Sequence, residues 1–485
     1  MDSSKKVHIS QQAFDSLVRE NMEDLGMDPQ EALQDAIDTL KLQGVDLSAI
    51  IKWAPGVCGA NENPVIQALD NLKEIFTRLS SSGFEAITLA KGSDECGFEK
   101  FIASAADLEE MVELLGKLHS LCCDEKLGNA SIVTRNGGVE LLVSICSDLI
   151  PEYERPLSSA LRTLSSVLHD FQGKEIFRKT DGPKALMDIL KKYSQNISIL
   201  DGGLAVVTAA ATGNEILKES FMDLKIDEFL TQLLRSLTNY GMPSLYDAIR
   251  ALLTADDGRV LASQVYGYAR RFAKIGAHSS LLDSLRQERL KSSSLIFAAT
   301  ALRTIAVNDE ICRSIAESGG LDVVLQCIDD SGARNDKAVA KACCTLLCKL
   351  AGSDSNKSCT IQKGGLNILI KLSSRFSDDP SILLEIMSIV CALSLRSPEN
   401  ASAAIEAGVG DVAIEAMQKF PAAHQMQRQA CLMIRNLVAR NHENRSILLN
   451  NGIETLVRKA KENHESCKDA ATAALRDLGL DNYNV

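Results

Sequence analysis

Aromatic residues are scarce: they make up 4% of this 485-residue chain, and Trp53 is its one tryptophan. In a chain that is 45% hydrophobic, Leu, Ile, Val and Ala must then do the packing, which suits helices better than sheets. An excess of positive charge is also missing. Lys and Arg number 52 against 64 Asp and Glu, a formal net charge of -12. That balance argues against a duplex DNA or RNA binder, which carries a basic footprint. No run of 18 apolar residues occurs, and MDSSKKVHISQQAF at the N-terminus has no apolar signal core. The expectation is a soluble intracellular protein without a membrane partner, cytoplasmic, with the nucleus as a second compartment. The 14 cysteines show no CxxC or Cys/His zinc spacing, so reduced structural thiols are expected. The 7 histidines stand apart, and no HExxH, P-loop, GxSxG or kinase signature is present. The expectation is no catalytic site, no cofactor and no metal.

What the chain has is a period. Small-residue breaks recur at Gly138, Gly182, Gly276, Gly320, Gly365, Gly408 and Gly452, with Lys225 in the place of one. The steps are 44, 43, 51, 44, 45, 43 and 44 residues. A period in the forties marks stacked units of two or three helices, each burying its apolar face on its neighbours. The breaks RNGGVELLVSI, ESGGLDVVLQCI, KGGLNILIKL, EAGVGDVAIEAM and NNGIETLVRKA share one design, a helix closed by Gly and a new helix starting at once. Fifteen residues upstream of four breaks stands a shared Leu or Ile: Ile305, Leu350, Leu393 and Leu437. ALRTLS and AIRALL repeat the surrounding words further from their breaks, and ALRDLG closes the chain. Each unit reads as break, long helix, second long helix, short helix, break.

This layout resembles the armadillo repeat. The N-terminal FDSLVRENMEDLGMDPQEALQDAIDTLKLQGVDLSAIIK, with RQACLMIRNLVAR and AATAALRDLG, resembles more narrowly the armadillo repeat-containing protein 6 family. The resemblance implies an all-α, right-handed armadillo-type α-solenoid of about eight repeats with an N-terminal helical segment. It also implies a protein-binding role. Residues 1–52 read as that segment: one helix over 8–27 with Phe14, Leu17, Val18, Met22 and Leu25 on a face, then a second starting at Asp28-Pro29 and ended by Gly44. Residues 53–100 read as a linker, Ala54 to Pro64, followed by irregular helices. Residues 101–480 hold the repeats, and 481–485 a frayed tail. The first copy is short, with 33 residues between Ala105 and Gly138.

In an armadillo array the second long helix, third of the repeat, lines the concave groove. Two residues before the shared Leu or Ile stand Arg162, Arg250, Arg303, Arg435 and Arg476, interrupted by Cys348 and Cys391. Either this ladder of guanidiniums holds an acidic or extended peptide, or each Arg pairs with a carboxylate of the next repeat and stiffens the stack. One residue before the shared position, only Asn436 fits the Asn column of nuclear import adaptors, and their Trp column is absent. A second candidate is the 51-residue step, where TADDGRVLASQVYGYARRFAKIGA replaces the usual loop and brings Tyr266, Tyr268, Arg270, Arg271 and Phe272 together. Tyr and Arg are enriched at binding hot spots, but the same aromatics could fold back as filling. The leading expectation is a protein-protein interaction scaffold. An armadillo-type co-chaperone clamping an Hsp70 nucleotide-binding domain, and a transport adaptor, are the alternatives.

Overall fold

The computed structural model describes residues 7–9, 11–47, 63–81, 96–123, 128–149, 153–237, 241–256, 262–287, 291–480 and 482. Trp53, residues 54–62 of the expected linker, Asp257, Arg259, Val260 and the tail apart from Asn482 lie outside them. The chain forms two compact units, Met1–Ile226 with Asp256–Arg259, and Asp227–Ala255 with Val260–Val485.

The first unit opens with a small core of its own. Helices α1 (Gln11–Glu23) and α2 (Pro29–Leu42) bury Phe14, Val18, Ala32, Ala36, Ile37 and Leu40 together with Leu47. Asp28 caps α2 by accepting from the Gln30 and Glu31 amides at 2.9 and 3.1 Å, with Pro29 in the first turn. The first helix is shorter than its pattern. His8 belongs to a two-residue strand, β1 (Val7–His8), paired in parallel with β2 (Val45–Asp46). Leu25 falls beyond the end of α1 and is 64% exposed. Asn21, not among the residues expected on the apolar face, is buried and donates to the Ala32 carbonyl at 3.2 Å.

Next, α3 (Pro64–Ser81), in the stretch read as irregular helices after the linker, packs against α4 (Cys96–Cys122), and residue 100 falls inside α4. Two three-helix repeats follow: α5 (Asn129–Arg135), α6 (Gly138–Asp148) and α7 (Glu154–Val167), then α8 (Phe171–Lys179), α9 (Gly182–Lys192) and α10 (Ile197–Ala211). The short helix α11 (Glu215–Asp223) ends the helices of this unit. In the second unit, α12 (Ile226–Ser236) and α13 (Pro243–Leu253) precede five complete repeats. These are α14 (Ala262–Lys274), α15 (Ala277–Leu285) and α16 (Ser292–Ile305); α17 (Asp309–Glu317), α18 (Gly320–Ala333) and α19 (Lys337–Leu350); α20 (Asp354–Gln362), α21 (Gly365–Arg375) and α22 (Pro380–Ser394); α23 (Pro398–Glu406), α24 (Val409–Lys419) and α25 (His424–Val438); α26 (His442–Asn450), α27 (Ile453–Asn463) and α28 (Lys468–Asp477). The second long helices pack in sequence, α4–α7–α10 in one unit and α13–α16–α19–α22–α25–α28 in the other.

The break glycines divide into two roles. At Gly319-Gly320 the first residue is left-handed, with φ 80°, and the second starts the next helix. A Cβ on Gly320 would stand 2.5 Å from the Ile315 carbonyl oxygen. One glycine permits the backbone turn, and the next permits the close approach of two helices. The left-handed residues are Gly137, Asp181, Lys225, Gly276, Gly319, Gly364, Gly408 and Gly452, one position earlier than expected in four copies. The shared Leu also has a structural partner. Buried Asn356, Asn400 and Asn444, each third in its short helix, donate to the carbonyls of Leu350, Leu393 and Leu437 at 3.0, 3.0 and 2.8 Å. These bonds satisfy carbonyls that helix ends leave open.

Candidate protein-binding surface

The arginine column lies on the second long helices, but its members differ in what they touch. In the first unit Arg162 is exposed on α7, and no carboxylate among the described residues pairs with it. In the second unit Arg303 on α16 is likewise exposed, again with no carboxylate partner among the described residues. Arg250 is tied within its own helix to Asp247, Nε to Oδ1 at 2.6 Å. Arg435 on α25 reaches Asp477 of α28 at 3.3 Å, and Arg476 holds the other oxygen of that carboxylate at 3.0 Å. One acid thus serves two guanidiniums across neighbouring repeats. Helix α10, absent from the column as read from sequence, carries no arginine.

Asn436 has a cohesive contact instead of a free amide. It donates to the Cys391 carbonyl of α22 at 2.9 Å. Thr163, the same position on α7, donates to the Leu115 carbonyl of α4 at 2.9 Å. In these two copies the position joins a long helix to the one before it, while Thr304 at the same place bonds within its own helix, to the Ala301 carbonyl.

The Tyr/Arg-rich stretch is a helix rather than a replaced loop. Helix α14 is the short helix of its repeat, extended to 13 residues where its counterparts in the second unit have nine. Tyr268, Ala269 and Phe272 form its buried stripe, at helical spacing. Tyr266 remains 45% exposed and Arg270 is exposed. Arg271 grips the buried Asp227 of α12 through two bonds of 3.0 Å each. Of the expected hot spot, Tyr266 and Arg270 face solvent, while Tyr268 and Arg271 hold the repeat together.

A second basic column was not anticipated. Lys174, Lys218 and Lys357 each occupy the fourth position of a short helix, and all three are buried. Lys174 donates to the Thr212 carbonyl and Lys357 to the Leu395 carbonyl at 2.9 Å, both at C-terminal ends of long helices. The helix dipole and the open carbonyls favour a cation there. Lys218 lies between Glu215 and Asp256 at 2.8 and 2.7 Å, and the same Asp256 oxygen accepts from the Gly213 amide at 2.7 Å. Burial pulls the Lys174 ammonium below its ordinary value. Cys312, at the same fourth position, points its thiol at the Lys349 carbonyl at 3.8 Å. The signal in the sequence was a lysine recurring where each short helix should be apolar.

The described cysteines are free thiols, and burial pushes Cys146 and Cys431 up to about 12. Among the described residues no three His, Cys, Asp or Glu are grouped to hold a metal, and no helix is long and apolar enough to cross a membrane.

Three-helix repeats closed by left-handed residues, with their second long helices packed in sequence, define an armadillo-type repeat fold. Two solved structures share the fold. An engineered protein superposes with a TM-score of 0.53 at 16% identity, covering 84% of this chain and 99% of its own. A chain from a study of the phosphorylation-switched interaction between cadherin and beta-catenin gives 0.55 at 15%, covering 78% and 69%. The resemblance to armadillo repeat-containing protein 6 is more particular. Residues 6–67 match the Armadillo repeat-containing protein 6 N-terminal domain, and residues 261–481 match the LRRK2 ARM repeat. Armadillo repeat-containing protein 6 of Pongo abelii is 26% identical over 413 residues, 81% of this chain and 75% of that protein. The Drosophila melanogaster homolog is 26% identical over 408 residues, 82% and 80%.

Proposed function

We propose that the second unit holds an extended acidic segment of another protein across α16, α19, α22 and α25, without catalysis. The observation that carries this reading is the uncommitted, exposed guanidinium of Arg303. Arg435, three helices along, is bound only through an exposed pair that a ligand carboxylate could exchange. Between them the column narrows to Cys348 and Cys391, flanked by Thr345 and Ser388, so a backbone could approach closely. Exposed Lys349 adds a cation and half-buried Glu385 opposes it. Helices about 8–10 Å apart put the two arginines about 24–30 Å apart. An extended chain spans that distance in about eight residues. Thr345, Ser388 and backbone groups of the ligand would supply the neutral contacts.

An array of acidic peptides of that length tests the reading. Arg303→Glu together with Arg435→Glu should weaken the best binder at least about tenfold, and added salt should weaken the unaltered protein in parallel. Unchanged affinity in a folded double variant would overturn the groove. Capture of an Hsp70, released by ATP and insensitive to both substitutions, would favour a co-chaperone instead.

A further inference from the structure

We propose that His278 is a pH-sensitive latch between two successive repeats, closed while its ring is neutral and loosened when the ring takes a second proton in mildly acidic solution. The residue is second in α15, two places after the left-handed Gly276. Two places after Gly319 and Gly364, the following repeats bury Leu321 and Leu366. One copy therefore holds a titratable ring where its neighbours hold an apolar side chain. His278 is 8% exposed. Its Nε2 lies 3.2 Å from the Ser314 hydroxyl of α17, the first helix of the next repeat. Its Nδ1 is buried, with no partner in hydrogen-bonding geometry among the described residues.

The neutral ring fits this place, because its Nε2 can accept from the Ser314 hydroxyl or donate to it. The charged ring fits poorly. Both nitrogens become donors, the charge loses its water, and it stands in the first turn of a helix, at the positive end of the dipole. Burial is the largest influence and draws the His278 pKa below its ordinary value, against the Ala273 carbonyl at the end of α14. Charged groups on the surrounding elements are engaged elsewhere or exposed. On α14, Arg271 is turned to Asp227, and Arg270 and Lys274 are exposed. On α17, Arg313 pairs with Asp309 at 3.0 Å, Glu310 and Glu317 are exposed, and the Cys312 thiol points at the Ala306 and Lys349 carbonyls. Arg303 of α16 is exposed, Asp322 in the first turn of α18 takes Lys363, and Asp283 of α15 itself holds Arg286.

A ring whose folded pKa lies below the ordinary 6.5 binds fewer protons in the closed joint than in the open one. The joint is then fully stable above pH 6.5. It weakens as the pH falls from there to the folded value, below which it loses no more. One unit below 6.5, an opened ring is charged about ten times more often than not, so opening is favoured by at most about tenfold.

Hydrogen exchange of the full chain tests the latch, read helix by helix by mass spectrometry at about pH 7.5 and about pH 5.5 and corrected for intrinsic rates. At the lower pH the amides of α15 and α17 should exchange about five- to tenfold faster than the correction alone gives, while α20 and α21, which contain no His, keep their protection. His278→Leu introduces the side chain that the two following repeats use, and should remove the step. His278→Gln, uncharged at both pH values, should remove it too and serves if Leu disturbs the packing. The His278 ring resonance of the histidine-labelled chain should titrate with a midpoint below 6.5. An unchanged step in either folded variant, equal corrected exchange of α15 and α17 at both pH values in the unaltered chain, or a ring midpoint at or above 6.5 would overturn the proposal.

Discussion

The arginines of the long helices and the lysines of the short helices recur with related spacing, yet they occupy opposite environments. Arg162 and Arg303 are exposed, and Arg435 shares a carboxylate in contact with water. Lys174, Lys218 and Lys357 are buried, each against a carbonyl or a carboxylate. A basic residue that repeats along an array can thus stay in solvent or hold the array itself together. Burial decides between these roles, because an exposed pair contributes little while a buried charge without its partner is costly.

Breaking the buried column should have the largest effect. Lys218→Ala leaves Glu215 and Asp256 facing each other without their cation, and should lower stability by about 3 kcal/mol, the low end for a broken buried pair since both acids keep some solvent. Urea unfolding and limited proteolysis of the first unit measure this. A loss below about 0.5 kcal/mol would erase the distinction between the columns. Asn444→Ala should cost about 1–3 kcal/mol, since it removes the donor to the Leu437 carbonyl in a buried setting. Asn400→Ala should match it through Leu393. If either were neutral, water would be replacing the amide.

The features that were legible in the sequence are those with a local cause. The period, the Asp28-Pro29 helix start and the apolar stripes follow from caps, left-handed turns and helical spacing. The left-handed residue was misplaced by one at Gly137, Gly319 and Gly364, where two glycines adjoin and both roles call for Gly, and at Asp181, where a non-glycine takes the turn before Gly182. Helix α10 escaped the alignment because it exchanges side-chain words for close contact: a Cβ on Gly203 would lie 2.6 Å from Leu190 Cδ2, and one on Gly202 lies 3.1 Å from Leu161 Cβ. Asn436 fitted a peptide-binding pattern, but its bond to Cys391 depends on the helix before it. Nor could spacing show that Arg303 is uncommitted while Arg250 is held by Asp247, because that depends on rotamers and neighbouring helices.

A pH series sharpens the same contrast. Burial lowers the Lys174 pKa in the folded state, so the unfolded chain binds more protons there between the folded value and the ordinary 10.5. Stability then rises with pH through that window. Below the window the charged ammonium carries its full desolvation penalty. Against Lys174→Met, the melting temperature of the unaltered protein should gain ground as the buffer moves from neutral toward alkaline pH. A gap that stays constant or narrows would mean that Lys174 is solvated in the folded state.

The smallest stability effect belongs to the exposed column. Asp477 binds both Arg435 and Arg476, so Asp477→Asn removes the carboxylate that two guanidiniums share. Exposed pairs of this kind contribute about 0–1 kcal/mol, and unfolding should shift by no more than that. Binding should change in the other direction. With Asp477 neutralised, Arg435 is released toward the proposed peptide path, and an acidic peptide should bind more tightly, most clearly at low salt. Isothermal titration with the best array peptide reads the affinity, and urea unfolding reads the stability. A large loss of stability with no gain in affinity would place Arg435 among the cohesive contacts, leaving Arg303 as the anchor in the second unit.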